Sequence, residues 1–79
     1  MSAYVYLLRC ADGTLYCGWS TDPERRHKQH EAGTASRYTR VRRPVELVWR
    51  AECADRSEAM REEARIKRLT RAEKRALIG

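Results

Sequence analysis

The chain has 79 residues, enough for one domain with a single modest core, and 17 Lys+Arg against 11 Asp+Glu leave a net charge of +6. No stretch approaches the roughly 20 consecutive apolar residues that cross a bilayer, and three cysteines without CxxC spacing suggest neither a disulfide framework nor a zinc site. Fourteen of the 17 cations are Arg, whose fork takes phosphate oxygens with two parallel hydrogen bonds, so the surplus points to a polyanion, most simply nucleic acid, rather than to solubility alone.

Residues 3–10, AYVYLLRC, are apolar on both alternating faces up to Arg9, as in a central strand covered on both sides. Ala11-Asp12-Gly13 turns the chain, and TLYCG (14–18) returns it as a second strand. A helix follows with both ends marked. Asp22 caps it, Pro23 suits the first helical position, Glu24 favours the positive end and Gly33 lies just past the last turn. TASRYTRVRR reads as a basic loop. Pro44 then opens a third strand, VELVWRAE, in which Val45, Leu47 and Trp49 alternate with Glu46, Val48 and Arg50. DRSE is a capping box that launches a helix over 56–68, and TRAE is a second box that starts a short terminal helix.

The expectation is one domain over 1–79 with an α+β fold, in the order ββαβαα: a three-stranded, partly antiparallel sheet flanked by helices. The opening residues, MSAYVYLLRC, lack a basic segment leading into a long apolar run and cleavage site. A soluble, cytoplasmic protein of a reducing compartment is expected, without a membrane partner.

Turn geometry bears on the tyrosines of the hairpin. A three-residue loop, with Gly13 left-handed, pairs Cys10 with Thr14. Tyr6 then lies opposite Gly18, and Tyr16 opposite Leu8 on the same face. The missing side chain of Gly18 opens space beside the Tyr6 ring. Two readings stand at this point: a site built around two phenols, or packed rings with hydroxyls at the rim.

Arg26 and His30 are i and i+4 on one helix face, so both can point at the same part of the sheet. The other reading of His30 is a surface residue in the charged run RRHKQH; His27 lies on a different face and reads as surface. Arg25 and Lys28 fit phosphate contacts or solvated charge equally. Glu63 follows Ala59 and Met60 by four and three residues and precedes Ile66 by three, so it projects from an apolar stripe. A carboxylate there needs a partner, either a divalent cation or a nearby Arg; Glu62 reads as surface. In SRYTRVRR, Arg37, Arg40, Arg42 and Arg43 surround Tyr38, a mix that suits backbone contacts plus a ring for stacking; the other reading is a solvated loop with Tyr38 tucked onto the core.

Taken in order, these segments resemble the GIY-YIG nuclease superfamily, particularly its small stand-alone bacterial members. YVY (4–6) stands where the first motif belongs and YCG (16–18) where the second does, with STDPERRHKQH and REEARIK downstream, over essentially the whole chain. The resemblance implies a three-stranded sheet flanked by helices and metal-dependent phosphodiester hydrolysis at one divalent ion, Mg²⁺ or Mn²⁺. Tyr6 and Tyr16 match the motif tyrosines, one of which helps to activate the water. Arg26 matches the helix arginine, His30 falls where the family carries Tyr or His, and Glu63 matches the metal-binding glutamate. The first-motif glycine is Tyr4 here. Trp19 follows YCG where some members have Lys, and the Asn that some members carry near the C-terminal end has no counterpart.

These residue types suit the chemistry. A tyrosine of ordinary pKa, about 10, is a poor base at neutral pH, so Arg26 or the metal is expected to lower it. Arg26 would clamp a non-bridging oxygen, and His30 would share the proton traffic or donate to the phosphate. One carboxylate suits Mg²⁺, which keeps most of its water. The expected activity is endonucleolytic, on DNA rather than RNA, in repair or DNA processing, with a protein partner as a source of selectivity. The alternative is a nucleic-acid-binding module of the same fold that hydrolyses slowly or not at all.

Overall fold

β1 (Ala3–Cys10) forms the middle of a three-stranded sheet in the computed structural model, which describes residues 2–79. Its neighbours are β2 (Leu15–Ser20) and β3 (Val45–Cys53), both antiparallel to it, so the sheet is antiparallel throughout. Apolar side chains leave both faces of β1, as a doubly covered strand requires. Ala3, Val5 and Leu7 join Ala59 and Ile66 of α3 (Arg56–Lys67) in one core, with Leu77 and Ile78 of α4 (Arg71–Ile78) packed against it. Tyr6, Leu8 and Cys10 form the second core with Val45, Leu47 and Tyr16. α1 (Pro23–Ala32) is tied to this second face by bonds from its side chains to Tyr6 and to both backbone groups of Val45.

The hairpin has the three-residue loop. Cys10 N–H donates to Thr14 O, Gly13 has φ 83°, and Tyr6 pairs with Gly18 while Leu8 pairs with Tyr16. Asp12 Oδ1 accepts from both the N–H and the hydroxyl of Thr14, which closes the turn locally.

Three expectations need correction. TASRYTRVRR is not all loop: Arg37–Arg40 make a one-turn helix, α2, because Ser36 Oγ accepts from Tyr38 N–H and caps it. The order is therefore ββααβαα. β3 does not alternate throughout. Leu8 pairs with Leu47 but Leu7 pairs with Trp49, which leaves Val48 as an extra bulged residue. Val45 and Leu47 consequently feed the Tyr6 core, whereas Val48, Trp49, Ala51 and Cys53 feed the α3 core. Met60 is exposed, so the α3 stripe runs through Ala59 and Ile66 alone.

Asp55 caps α3 by accepting from Glu58 N–H; the reciprocal capping box forms at α4, between Thr70 and Glu73. α3 ends at Lys67, with Arg68 as its C-cap. Cys10, Cys17 and Cys53 are free and buried. Among the described residues no helix is long and apolar enough to cross a membrane.

Candidate active site

Tyr6, Tyr16, Arg26, His30 and Glu63 line one cleft of about 340 Å³. β1 and β2 supply the phenols, α1 the Arg–His pair and α3 the glutamate. Because β2 is an edge strand, helices on either face of the sheet can reach a cleft beside it. Gly18 forms part of the wall, and the Tyr6 ring, 3% exposed, lies over it.

His30 is not a surface residue. It is 1% exposed, with Nε2 3.0 Å from Tyr6 Oη and Nδ1 2.7 Å from Thr39 Oγ1 of α2. Its ring also meets the rings of Tyr6 and Tyr16 edge-on, at centroid distances of 6.0 and 5.2 Å. Both nitrogens thus have partners within the chain, so His30 belongs to an internal network rather than to the phosphate directly. Burial lowers its pKa to about 4, and the positive charge of Arg26 acts in the same direction. Neutral imidazole is the resting form. Burial likewise holds the Tyr6 hydroxyl far above the phenol range, with Tyr16 adding to the effect. Arg26 pulls the other way, as expected for a nearby cation, but desolvation wins. Tyr6 rests as a neutral hydroxyl.

Glu63 is half-buried, its side chain 23% exposed, and its partner is Lys67 one turn on, at 3.6 Å, rather than an Arg. Among the described residues no three His, Cys, Asp or Glu cluster closely enough to cage an ion. Glu63 offers one hard carboxylate in an open cleft, which fits a hydrated divalent ion of the Mg²⁺ type and does not fit a fully protein-ligated one. Glu62 pairs with Arg65 on the helix surface.

Sequence reasoning missed Arg56, which stands at the first turn of α3 and lines the same cleft. Its distance of seven residues from Glu63 puts both on one face of α3. Among the described residues neither Arg26 nor Arg56 is ion-paired, in contrast to Arg9, Arg42, Arg50 and Arg65. Trp19, Ser20 and Thr21 complete the wall, and an adjoining groove of about 250 Å³ shares Ser20, Thr21 and Arg26 and adds Arg25.

The basic run divides in two. Arg42 donates to Asp12 and to Tyr38 O, and its guanidinium sits 3.9 Å from the centre of the Tyr38 ring. Arg43 donates to the carbonyls of Arg40 and Glu31. Tyr38 stacks on Tyr16 at 5.6 Å, so its ring is engaged inside the chain. Arg37 and Arg40, with Arg25 and Lys28 on α1, are exposed and unpaired among the described residues. His27 is half-buried rather than a surface residue, with Nε2 3.0 Å from Val45 O.

Residues 2–76 match the GIY-YIG catalytic domain family. A UPF0213 protein of Halobacterium salinarum is 50% identical over 75 residues, covering 95% of this chain and 97% of that one. A UPF0213 protein of Natronomonas pharaonis is 51% identical over 76 residues, covering 96% and 89%. The solution NMR structure of a UPF0213 protein from Bacillus halodurans superposes with a TM-score of 0.62 at 44% identity, over 99% of this chain and 83% of that one.

Proposed function

The chain belongs to the GIY-YIG catalytic domain family, and from that membership we propose that it is a metal-dependent endonuclease hydrolysing phosphodiester bonds in nucleic acid, DNA in particular. The observation that carries this reading is the convergence of Tyr6, Tyr16, Arg26, His30 and Glu63 on one cleft. A binding module has no need of a carboxylate half-buried in the cleft wall beside two phenols.

In the proposed mechanism, Arg26 and Arg56 fork onto the non-bridging oxygens of the scissile phosphate and hold it in the cleft they share with Tyr6 and Tyr16. The two guanidinium groups also stabilise charge that develops on the phosphate as the water attacks. Tyr6 Oη accepts a hydrogen bond from that water, and as the water's proton moves to Oη the phenolic proton moves to His30 Nε2, 3.0 Å away. Burial opposes the imidazolium in the resting protein, and the negative phosphate in the same cleft favours it. Tyr16 is the second phenol and braces the His30 ring from its edge. Glu63 would hold the divalent ion, which when bound neutralises charge on the leaving oxygen. Arg25, Lys28, Arg37 and Arg40 contact the strand's backbone away from the cut. Repair or DNA processing in the cytoplasm is the setting we propose, in keeping with three free buried thiols.

The second reading, a binding module that cuts slowly or not at all, draws on Trp19, which lines the cleft where some family members place a Lys. One assay separates the two. A labelled panel of duplex, single-stranded, flap and junction DNA plus RNA is incubated with Mg²⁺ or Mn²⁺ and wild type, Glu63→Gln or Tyr6→Phe. Cleavage by wild type that both variants lose supports the nuclease; equal binding by all three without any cut overturns it.

A further inference from the structure

Tyr6, His30 and Thr39 are 3%, 1% and 0% exposed, and they form one unbroken chain of side-chain hydrogen bonds from the cleft into α2. The chain ends at the Ser36 carbonyl, 3.3 Å from Thr39 Oγ1, and a carbonyl can only accept. Three mobile protons belong to these groups: one on Tyr6, one on the neutral His30 ring and one on Thr39. Running the donors inward gives each proton an acceptor inside the chain. Tyr6 O–H donates to Nε2, Nδ1–H donates to Thr39 Oγ1, and the Thr39 hydroxyl donates to Ser36 O. Running them outward leaves the Tyr6 proton without a partner in this network.

We propose that Thr39 is a positioning residue of the cleft, whose hydroxyl oxygen accepts Nδ1–H of His30 and so turns the Nε2 lone pair towards Tyr6. The tautomer of a histidine is set by the hydrogen bond that its other nitrogen makes. With Nε2 bare, Tyr6 is the donor, its own lone pairs are free to face water in the cleft, and its proton has somewhere to go. With Nε2 protonated, Tyr6 becomes the acceptor, gives one of its lone pairs to the imidazole and has no base for its proton. This assignment deepens the nuclease reading and rests on it for its catalytic consequence, though not for its geometry.

The chain carries its own reference. His27 Nε2 faces the Val45 carbonyl, which cannot donate, so His27 holds its proton on Nε2. The only two histidines of the chain are therefore assigned opposite tautomers.

Long-range ¹H–¹⁵N spectra of the full chain at pH 7.5, without substrate, read both rings directly. The expected result is a protonated Nδ1 and bare Nε2 on His30, with the reverse on His27. Thr39→Val should move His30 towards Nε2–H, whereas Thr39→Ser keeps the wild-type pattern. On the substrate the panel identifies, Thr39→Val should lower kcat by about tenfold or more at little change in KM, as loss of proton-transfer geometry does, and Thr39→Ser should restore it. A wild-type His30 protonated on Nε2 overturns the proposal, whether or not the Val variant folds. So does a folded Val variant with Nδ1–H retained or kcat unchanged. An inert wild type showing the two opposite tautomers overturns the nuclease reading and supports the placement of Thr39.

Discussion

A Cβ at Gly18 would lie 2.5 Å from Tyr6 Oη and 2.7 Å from its Cζ: the phenol occupies the space that any side chain at position 18 would need. The three nearest atoms all belong to the rigid Tyr6 phenol, so Gly18→Ala must push the ring off its bond to His30. Overpacking of this kind costs about 1–3 kcal/mol. We expect a lowered melting temperature together with cleavage reduced at least as far as in Tyr6→Phe. Wild-type melting and wild-type cleavage in the alanine variant would show that the ring is not held there.

Acid should weaken the fold through His30. Its folded pKa, about 4, lies below the unfolded value of 6.5, so the unfolded chain binds the proton more readily. The stability involved is fully present above pH 6.5 and is lost as pH falls towards 4, on the order of 3 kcal/mol across that window. Urea melts between pH 7.5 and 4.5 check this against His30→Gln, which should flatten the slope. An equal slope in both proteins assigns the acid sensitivity elsewhere.

Glu63→Gln separates chemistry from stability. Among the described residues the one ion pair it loses is with Lys67, whose side chain is half exposed, and such pairs contribute about 0–1 kcal/mol. Melting should scarcely move, while Mg²⁺-dependent cleavage should fall by about a hundredfold or more as transition-state charge loses its stabilisation. A glutamine variant that cuts normally at every Mg²⁺ concentration removes Glu63 from the site.

Among the described residues Arg56 makes no ion pair, and it is exposed, so the stability change of Arg56→Ala should stay within about 0.5 kcal/mol. Cleavage should drop by about tenfold or more, since a guanidinium on the reacting phosphate is lost. Arg56→Lys should recover part of it, because Lys brings charge without the fork. Unchanged kcat/KM in Arg56→Ala would leave Arg26 as the sole phosphate clamp.

The arginines of the basic run should behave in two classes. Arg42→Ala removes contacts to Asp12, Tyr38 O and the Tyr38 ring, and should destabilise the fold by about 1 kcal/mol. Arg37→Ala and Arg40→Ala should leave melting unchanged. Each should weaken DNA binding and reduce the slope of log K against log salt by about 1. Binding isotherms at several salt concentrations decide it.

The hairpin register was legible because Asp12-Gly13 admits few loops and a one-residue slip would turn every side chain to the other face. β3 was not, because its inserted residue, Val48, is itself apolar and leaves the alternation looking intact. The charged letters around His30 concealed its burial. What makes that burial tolerable is a hydroxyl nine residues away, delivered by a helix too short to show a period. Arg56 looked like any of the other arginines. Its one signal was the seven-residue spacing from Glu63, which places two charges of opposite sign on one helix face. The basic run showed its charge but not which of its arginines would be held by neighbouring carbonyls.

The bulge at Val48 also acts as a phase change within a single strand. Residues before it are read by the α1 side and residues after it by the α3 side, so the two halves of β3 keep separate packing alphabets. Substitution at Val48 by a side chain of similar bulk leaves that grammar intact. Deletion of Val48 removes the unpaired residue and restores plain alternation, so Leu47 and Trp49 keep their opposite faces and the bulge with its apolar contact to the α3 core is lost. A single-residue deletion elsewhere in β3, by contrast, turns the residues beyond it to the other face and changes which core they serve.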